Sequence, residues 1–236
     1  MIYLLATNNP GKAKEIKPMF EKAGLKLISL ADLGLFFEAK EDGATFVANA
    51  MQKARETAAF LRQNTEKISD LLALENQALG ADAGYLSCDD IAVLADDSGL
   101  VIDALDGAPG VDSALFMGRE TPYAEKCQAI LDKLAAVPDD MRAARFVCTL
   151  VCLIPAEPLG FTTLVAEGTI EGCIAYDPAG QGGFGYDPIF HYPPLNKTLA
   201  QLTKEEKNQV SHRGQAIQKM IGLITNAEAN TNTSDK

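Results

Sequence analysis

Carboxylates grouped in two short stretches carry the first chemical signal. Glu41, Asp96 and Asp97, with Glu38 and Asp42 as lesser candidates, offer oxygen donors of the kind Mg2+ prefers when substrate phosphates complete its coordination. Asp96 and Asp97 follow the apolar run Ile91-Ala92-Val93-Leu94-Ala95, and two neighbouring carboxylates at a strand end are costly to hold together unless a cation compensates them. A solvated acidic turn is the plainer reading of the same residues; an apolar run suited to a central strand favours the cation site.

Three further groups sit at loops. Thr7, Asn8, Asn9, Pro10, Gly11 and Lys12 join a strand to a helix start, where exposed N–H groups and the positive end of the helix dipole suit phosphate; an ordinary turn beside a surface lysine would look the same locally. No GxxxxGK[ST] occurs, so this is not a Walker A loop. The stretch Gly180-Gln181-Gly182-Gly183-Phe184-Gly185-Tyr186-Asp187-Pro188 literally contains GxGxxG, but Pro188 and the run to Pro194 cannot open the helix that a dinucleotide fingerprint needs. Phe184 between glycines is either a ring left uncrowded for a flat base or a core Phe in a glycine turn. Lys207 and Ser211-His212-Arg213-Gly214 gather cations and donors just before a helix, whereas His191 has no partner evident in the sequence.

The elements that must position these groups follow from apolar periodicity. A strand over 2–6 leads into a helix from about Lys12 to Ala23, which Pro18 should kink or divide. A short strand (25–30) precedes a helix capped by Thr45, with Phe46, Ala50, Ala54, Ala58 and Leu61 as its buried stripe. The strand over 91–95 delivers Asp96, Asp97 and Ser98 at its C-terminal end, where ligands of open α/β sheets gather. Thr121-Pro122 opens a helix whose inner face is Cys127, Ile130, Leu131 and Leu134. Strands at 145–154 and 163–175 suit an antiparallel pair, Thr203 to Glu206 forms a capping box, and a last helix runs from about Arg213 to Ile224. Residues 226–236 are polar, and a disordered tail is expected. The expected fold is one α/β unit with a mixed central sheet flanked by helices.

Bulk properties exclude several classes. The net charge of −11 over 236 residues opposes an extended grip on nucleic acid, which draws on clustered Lys and Arg. No apolar run approaches the roughly 20 residues of a membrane span, and the first residues lack the basic flank of a signal peptide. Five cysteines without CxxC spacing suggest neither a zinc site nor a disulfide framework, and fit a reducing cytoplasm.

Taken together, the segments ATNNPGK (6–12), EDGATFVANAMQKA (41–54), LADDSGLVIDALDGAPGV (94–111), GGFGYDPIF (182–190) and LTKEEKNQVSHRGQA (202–216) resemble the inosine/xanthosine triphosphate pyrophosphatase family, in the family's order and across most of residues 1–225. The resemblance implies two lobes with a substrate cleft between them, a homodimer, and hydrolysis of a purine nucleoside triphosphate to its monophosphate and pyrophosphate, with ITP, dITP and XTP preferred. It places the loop Thr7, Asn8, Asn9, Pro10, Gly11 and Lys12 on the phosphates. Glu41 and Asp97 fall at Mg2+, with Asp97 also accepting a proton from water. Ser98, Phe184, Gly185, Tyr186, Asp187, Lys207, His212 and Arg213 match substrate-binding positions. Two departures stand out: Asp112 and Leu115 replace a tyrosine and an arginine, and an insertion occupies about 62–90. Within it Ile68, Leu71, Leu72, Ala78 and Leu79 share one face, which predicts an amphipathic helix from about Thr65 to Leu79. Competing readings are a pyrophosphatase for other damaged nucleotides and a nucleotide sensor without turnover.

Overall fold

A computed structural model of the chain describes residues 1–78, 90–156 and 160–234. In order, the main elements are β1 (Ile2–Leu5), α1 (Pro10–Lys22), β2 (Leu27–Ser29), α2 (Phe46–Gln63), α3 (Thr65–Ala78), β3 (Ile91–Ile102) and α4 (Tyr123–Lys133), followed by β4 (Ala143–Ala156), β5 (Gly160–Ile174), β6 (Phe190–Tyr192), β7 (Lys197–Thr198), α5 (Lys204–Val210) and α6 (His212–Ser234). The strands form one sheet in the order β2-β1-β3-β4-β5-β6-β7. It is mixed: β1 runs parallel to β2 and β3, whereas β6 is antiparallel to β5 and β7.

The chain divides into two compact units. One comprises Met1–Asp96, Leu150–Ala166 and Ile217–Lys236, the other Asp97–Thr149 and Glu167–Ala216. In the first, Leu4, Ile91 and Val93 from the strands meet Ala50, Ala54, Ala58 and Leu61 of α2. The four-residue repeat seen in the sequence is therefore the buried stripe, and Thr45 Oγ1 caps the helix by accepting from Ala48 N at 3.2 Å. In the second, Cys127, Ile130, Leu131 and Leu134 join Leu100, Ile102 and Phe190.

Several local expectations are revised. α1 stays one helix across Pro18. Pro18 and Lys14, whose carbonyl loses its partner there, are both on the exposed side, while Ile16 and Phe20 are buried and anchor the segment; water can satisfy the freed carbonyl. α4 begins one residue later than expected, with Pro122 at the cap position and no side-chain cap, because Thr121 Oγ1 donates instead to Met117 O (2.7 Å). α6 continues past Ile224 to Ser234, into the segment expected to be a disordered tail. The buried Tyr3 hydroxyl donates to Glu228 there at 2.8 Å. No helix among the described residues is long and apolar enough to cross a membrane.

The first half of the insertion is helical, as α3, with Ile68 fully buried in the first unit's core and Leu71 packed against it. The side chains of Leu72 and Ala78, and Leu79 itself, lie outside the described residues. Truncating a buried aliphatic chain removes its transfer energy and leaves a cavity, at about 2–5 kcal/mol. Ile68→Ala is expected to lower the denaturant midpoint accordingly in circular dichroism. An unchanged midpoint would show that α3 contributes nothing to the core.

Candidate active site

In the first unit, the loop after β1 is organised by Asn9. Its Oδ1 caps α1 by accepting from Gly11 N (2.9 Å) and Lys12 N (3.2 Å), while Thr7 Oγ1 accepts from Asn9 N at 3.2 Å and Asn8 Nδ2 donates to Phe37 O at 3.0 Å. Two of the amides that the sequence offered to phosphate are thus engaged by the cap. Pro10, at the first helical position, is exposed. Lys12 pairs with Asp96 Oδ2 at 2.8 Å.

Glu41 is ion-paired with Lys53, and Lys53 Nζ also donates to the Asp96 carbonyl at 2.9 Å. The loop around Glu41 is fastened to α2 twice more, by Gly43 N to Asn49 Oδ1 (2.7 Å) and Lys40 N to Glu56 Oε2 (3.0 Å). Lys53 was not singled out from sequence, although a signal existed. Asn49, Lys53 and Thr57 recur every four residues beside the alanine stripe, and Asn49 and Thr57 are buried; a polar row on the inward side of a helix calls for partners.

The acidic pair does not stand at a strand end. β3 continues through Asp96, Asp97 and Ser98 to Ile102, because Leu100 and Ile102 are fully buried beyond Gly99 and Leu100 N finds Ser113 Oγ at 2.9 Å. Its partner β1 stops earlier, with Leu5 opposite Leu94, so Asp96 lies just past the C-terminal end of that neighbour. Successive side chains of a strand point to opposite faces. The two carboxylates are therefore separated rather than crowded, and no cation is needed to hold them apart. Asp96 is completely buried, and Asp97, 5% exposed, accepts from Ser98 N through Oδ1 at 2.9 Å.

In the second unit the glycine-rich loop is tied to α5 by a buried ion pair. Asp187 Oδ2 accepts from Phe184 N (2.8 Å) and from Lys207 Nζ (2.6 Å). No helix follows the glycines; Gly180, Gly183 and Gly185 have positive φ, and the chain passes into a single 3-10 turn over Asp187–Ile189. Phe184 is half-buried, with Lys207 Nζ 4.9 Å and the Arg213 guanidinium carbon 5.3 Å from its ring centre. Arg213 Nη2 donates to Ser98 Oγ at 3.0 Å. His212 stacks on Phe146, centroids 4.8 Å apart and planes 11° apart. A ring bounded by two cations, beside buried His and Arg donors, can receive a planar, carbonyl-bearing partner.

Tyr186 is tied into the body of the second unit. It is buried, its hydroxyl donates to Ser113 O at 2.8 Å, and burial, then Tyr123 and Cys127 nearby, pushes its pKa far up, so it remains a protonated donor. Gly185 O accepts from Cys127 Sγ at 3.8 Å, a thiol that burial pushes up to about 11. His191 does have partners: Asn196 Oδ1 at 3.2 Å and Cys173 Sγ at 3.6 Å. Burial raises the Cys173 pKa, which disfavours the thiolate. Asp112 and Leu115, the two departures from the family pattern, are both exposed. Among the described residues, no three His, Cys, Asp or Glu side chains group closely enough to hold a metal by themselves.

Removing one member of a buried ion pair strands the other, at about 3–5 kcal/mol. Asp187→Ala is therefore expected to lower the unfolding free energy by that order in denaturant titration. A loss below about 1 kcal/mol, the range of an exposed pair, would show that Lys207 does not hold this loop.

The Ham1 family pattern matches residues 3–223. A protein of Shigella flexneri described as dITP/XTP pyrophosphatase is 42% identical over 94% of this chain and 98% of its own, and one of the same description from Escherichia coli K12 is 41% identical over the same shares. The solved structure of a HAM1 protein from Coxiella burnetii superimposes with a TM-score of 0.72 at 33% identity, covering 96% of this chain and 99% of that one. The Staphylococcus aureus Ham1 protein gives the same score and identity, over 96% and 100%. With the family pattern running almost end to end, the chain belongs to the Ham1 family.

Proposed function

We propose that this protein is a nucleoside triphosphate pyrophosphatase that hydrolyses the deaminated purine nucleotides ITP, dITP and XTP to the monophosphate and pyrophosphate. The observation that carries the reading is the array Lys12, Asp96, Lys53 and Glu41, an alternation of charge suited to a metal-bound triphosphate, in a chain 41–45% identical to proteins described as dITP/XTP pyrophosphatases. A sensor without turnover has no need of a carboxylate placed to activate water. The relatives' description also favours deaminated purines over other damaged nucleotides.

Mg2+ is the proposed cofactor, and the donor set fits it. Glu41 and Asp97 supply hard oxygens, and Mg2+ commonly takes only one or two carboxylates, the remainder coming from water and phosphate; a cluster of three is not required. Lysine ammonium groups on Glu41 and Asp96 show that this unit accommodates positive charge there. When bound, the ion neutralises phosphate charge and lowers the pKa of a nearby water. Asp97 orients the attacking water and takes its proton; the water oxygen bonds to the α-phosphorus, and pyrophosphate leaves with the electron pair of the broken α–β bridge. Lys12 and Lys53 balance phosphate charge, so acceleration comes mainly from positioning and electrostatics. Phe184 stacks on the base, and Arg213 and His212 donate to the 6-oxo group, where adenine presents an amino donor instead. We also propose a homodimer, on the family resemblance, and a cytoplasmic setting, which the unbridged thiols Cys127, Cys152 and Cys173 suit.

Pyrophosphate release from a panel of triphosphates with Mg2+ tests the reading, and no release from ITP would end it. A hydrogen bond to a charged donor is worth on the order of 1.5–3 kcal/mol, so Arg213→Ala should shrink the ITP-to-ATP ratio of kcat/KM by roughly 10- to 150-fold. Lys12→Ala should lower both substrates alike, because phosphate contacts carry no information about the base. An unchanged ratio in both Arg213→Ala and His212→Ala would remove the 211–214 segment from base selection.

A further inference from the structure

We propose that Gly168, in the middle of β5, is a specificity-determining positioning residue: having no side chain, it lets the strand lie directly against the first turn of α6 and so sets where His212 and Arg213 stand. Gly168 is buried, in step with Ala166 and Ile170 on the inward face of the strand. A glycine inside a strand contributes no packing and weakens it, and such a residue often marks a place where another backbone comes close. Its φ lies outside the left-handed region, so conformation does not demand glycine. Space does.

A methyl group at this position would overlap the His212 carbonyl oxygen, and would lie 2.6 Å from the Ala216 nitrogen and 2.9 Å from Gln215 Cβ. The oxygen of residue 212 and the nitrogen of residue 216 are the acceptor and donor of one i to i+4 bond of α6. Neither can rotate away as a side chain would, so the helix start or the strand has to shift. The turn is also gripped from its other sides. Ser211 Oγ accepts from Gly214 N at 3.0 Å, Gly214 itself faces the Asn208 carbonyl with no room for a Cβ, His212 is stacked on Phe146, and Arg213 is bonded to Ser98. A push from β5 is therefore transmitted to the side chains of His212 and Arg213. The phosphate-side residues Lys12, Glu41 and Lys53 stand on other elements, which makes the consequence selective for the base.

The inference rests on the assignment of base reading to His212 and Arg213, and the experiment separates the two. Gly168→Ala, with its fold checked by thermal melting, is expected to reduce the ITP-to-ATP ratio of kcat/KM by roughly tenfold or more, mostly through KM for ITP, while ATP changes by no more than about threefold. In an Arg213→Ala background the same substitution should change the ratio little further, since sites acting through one contact are not additive. A merely structural role would lower stability without moving that ratio. Should Gly168→Ala not fold, Gly168→Ala with Gln215→Gly removes one of the three contacts and loosens the turn, and the same loss of ratio is expected from it. A normal ratio in either folded variant, or full additivity with Arg213→Ala, would overturn the inference while leaving the base-reading assignment standing. A wild-type enzyme with no preference for ITP over ATP would sink both.

Discussion

The two-residue period of β3 is the constraint on which the site depends. Because neighbouring side chains of a strand leave on opposite faces, Asp96 and Asp97 are presented to different surroundings across one peptide bond. Asp96 is fully buried, and an ionised carboxylate there is tolerated only when its charge is met and its oxygens are bonded. Lys12 meets it at 2.8 Å, which draws the first turn of α1 onto the strand. Lys53 takes the Asp96 carbonyl and reaches Glu41 as well, which fastens α2 and the loop before it to the same residue. A single buried acid thereby orders three segments remote in sequence. Asp97 leaves on the other face, and in the proposed mechanism it is the residue that takes the proton from water.

The second unit repeats the device with different parts. Asp187 and Lys207 form its buried pair, and Asp187 also takes the Phe184 amide, so the ring that stacks on the base in our account is held through its own backbone. Tyr186 and Ser113 extend the bracing toward β3: Tyr186 donates to the Ser113 carbonyl, and the Ser113 hydroxyl accepts from Leu100 N, three residues beyond Asp97. Polar groups buried in this way cost stability when unpaired and confer rigidity when satisfied, which is what a site that must discriminate one base from another requires.

Much of this was legible in the sequence, and the rest fails for identifiable reasons. The alanine stripe of α2, the cap at Thr45 and the capping box at Thr203 are set by local periodicity and local hydrogen bonds, so they read correctly. The rejection of the dinucleotide fingerprint stood on Pro188, and the chain indeed forms a 3-10 turn there. The length of β3 was missed because the polar residues Asp96, Asp97 and Ser98 end the apolar run, while the burial of Leu100 and Ile102 that carries the strand on is a tertiary fact. Pro18 was expected to kink or divide α1; that the helix is not divided depends on which side of it faces water, which one sequence does not reveal. Lys53 was passed over because a lysine on a helix is ordinarily a solvated charge, and only its phase with Asn49 and Thr57 marks it out. The roles of Asp187 and Tyr186 as braces rest on partners 20 and 73 residues away, beyond the reach of any local pattern.

The proposed division of labour between the adjacent aspartates is tested most directly by parallel measurement of turnover and thermal midpoint in Asp96→Asn and Asp97→Asn. Asp97→Asn is expected to lower turnover on ITP by at least about 100-fold, the loss that follows removal of a general base, at a nearly unchanged midpoint. Asp96→Asn is expected to lower the midpoint, because Lys12 and the start of α1 lose the charge that holds them. Near-normal turnover in Asp97→Asn, or an unaltered midpoint in Asp96→Asn, would contradict that division.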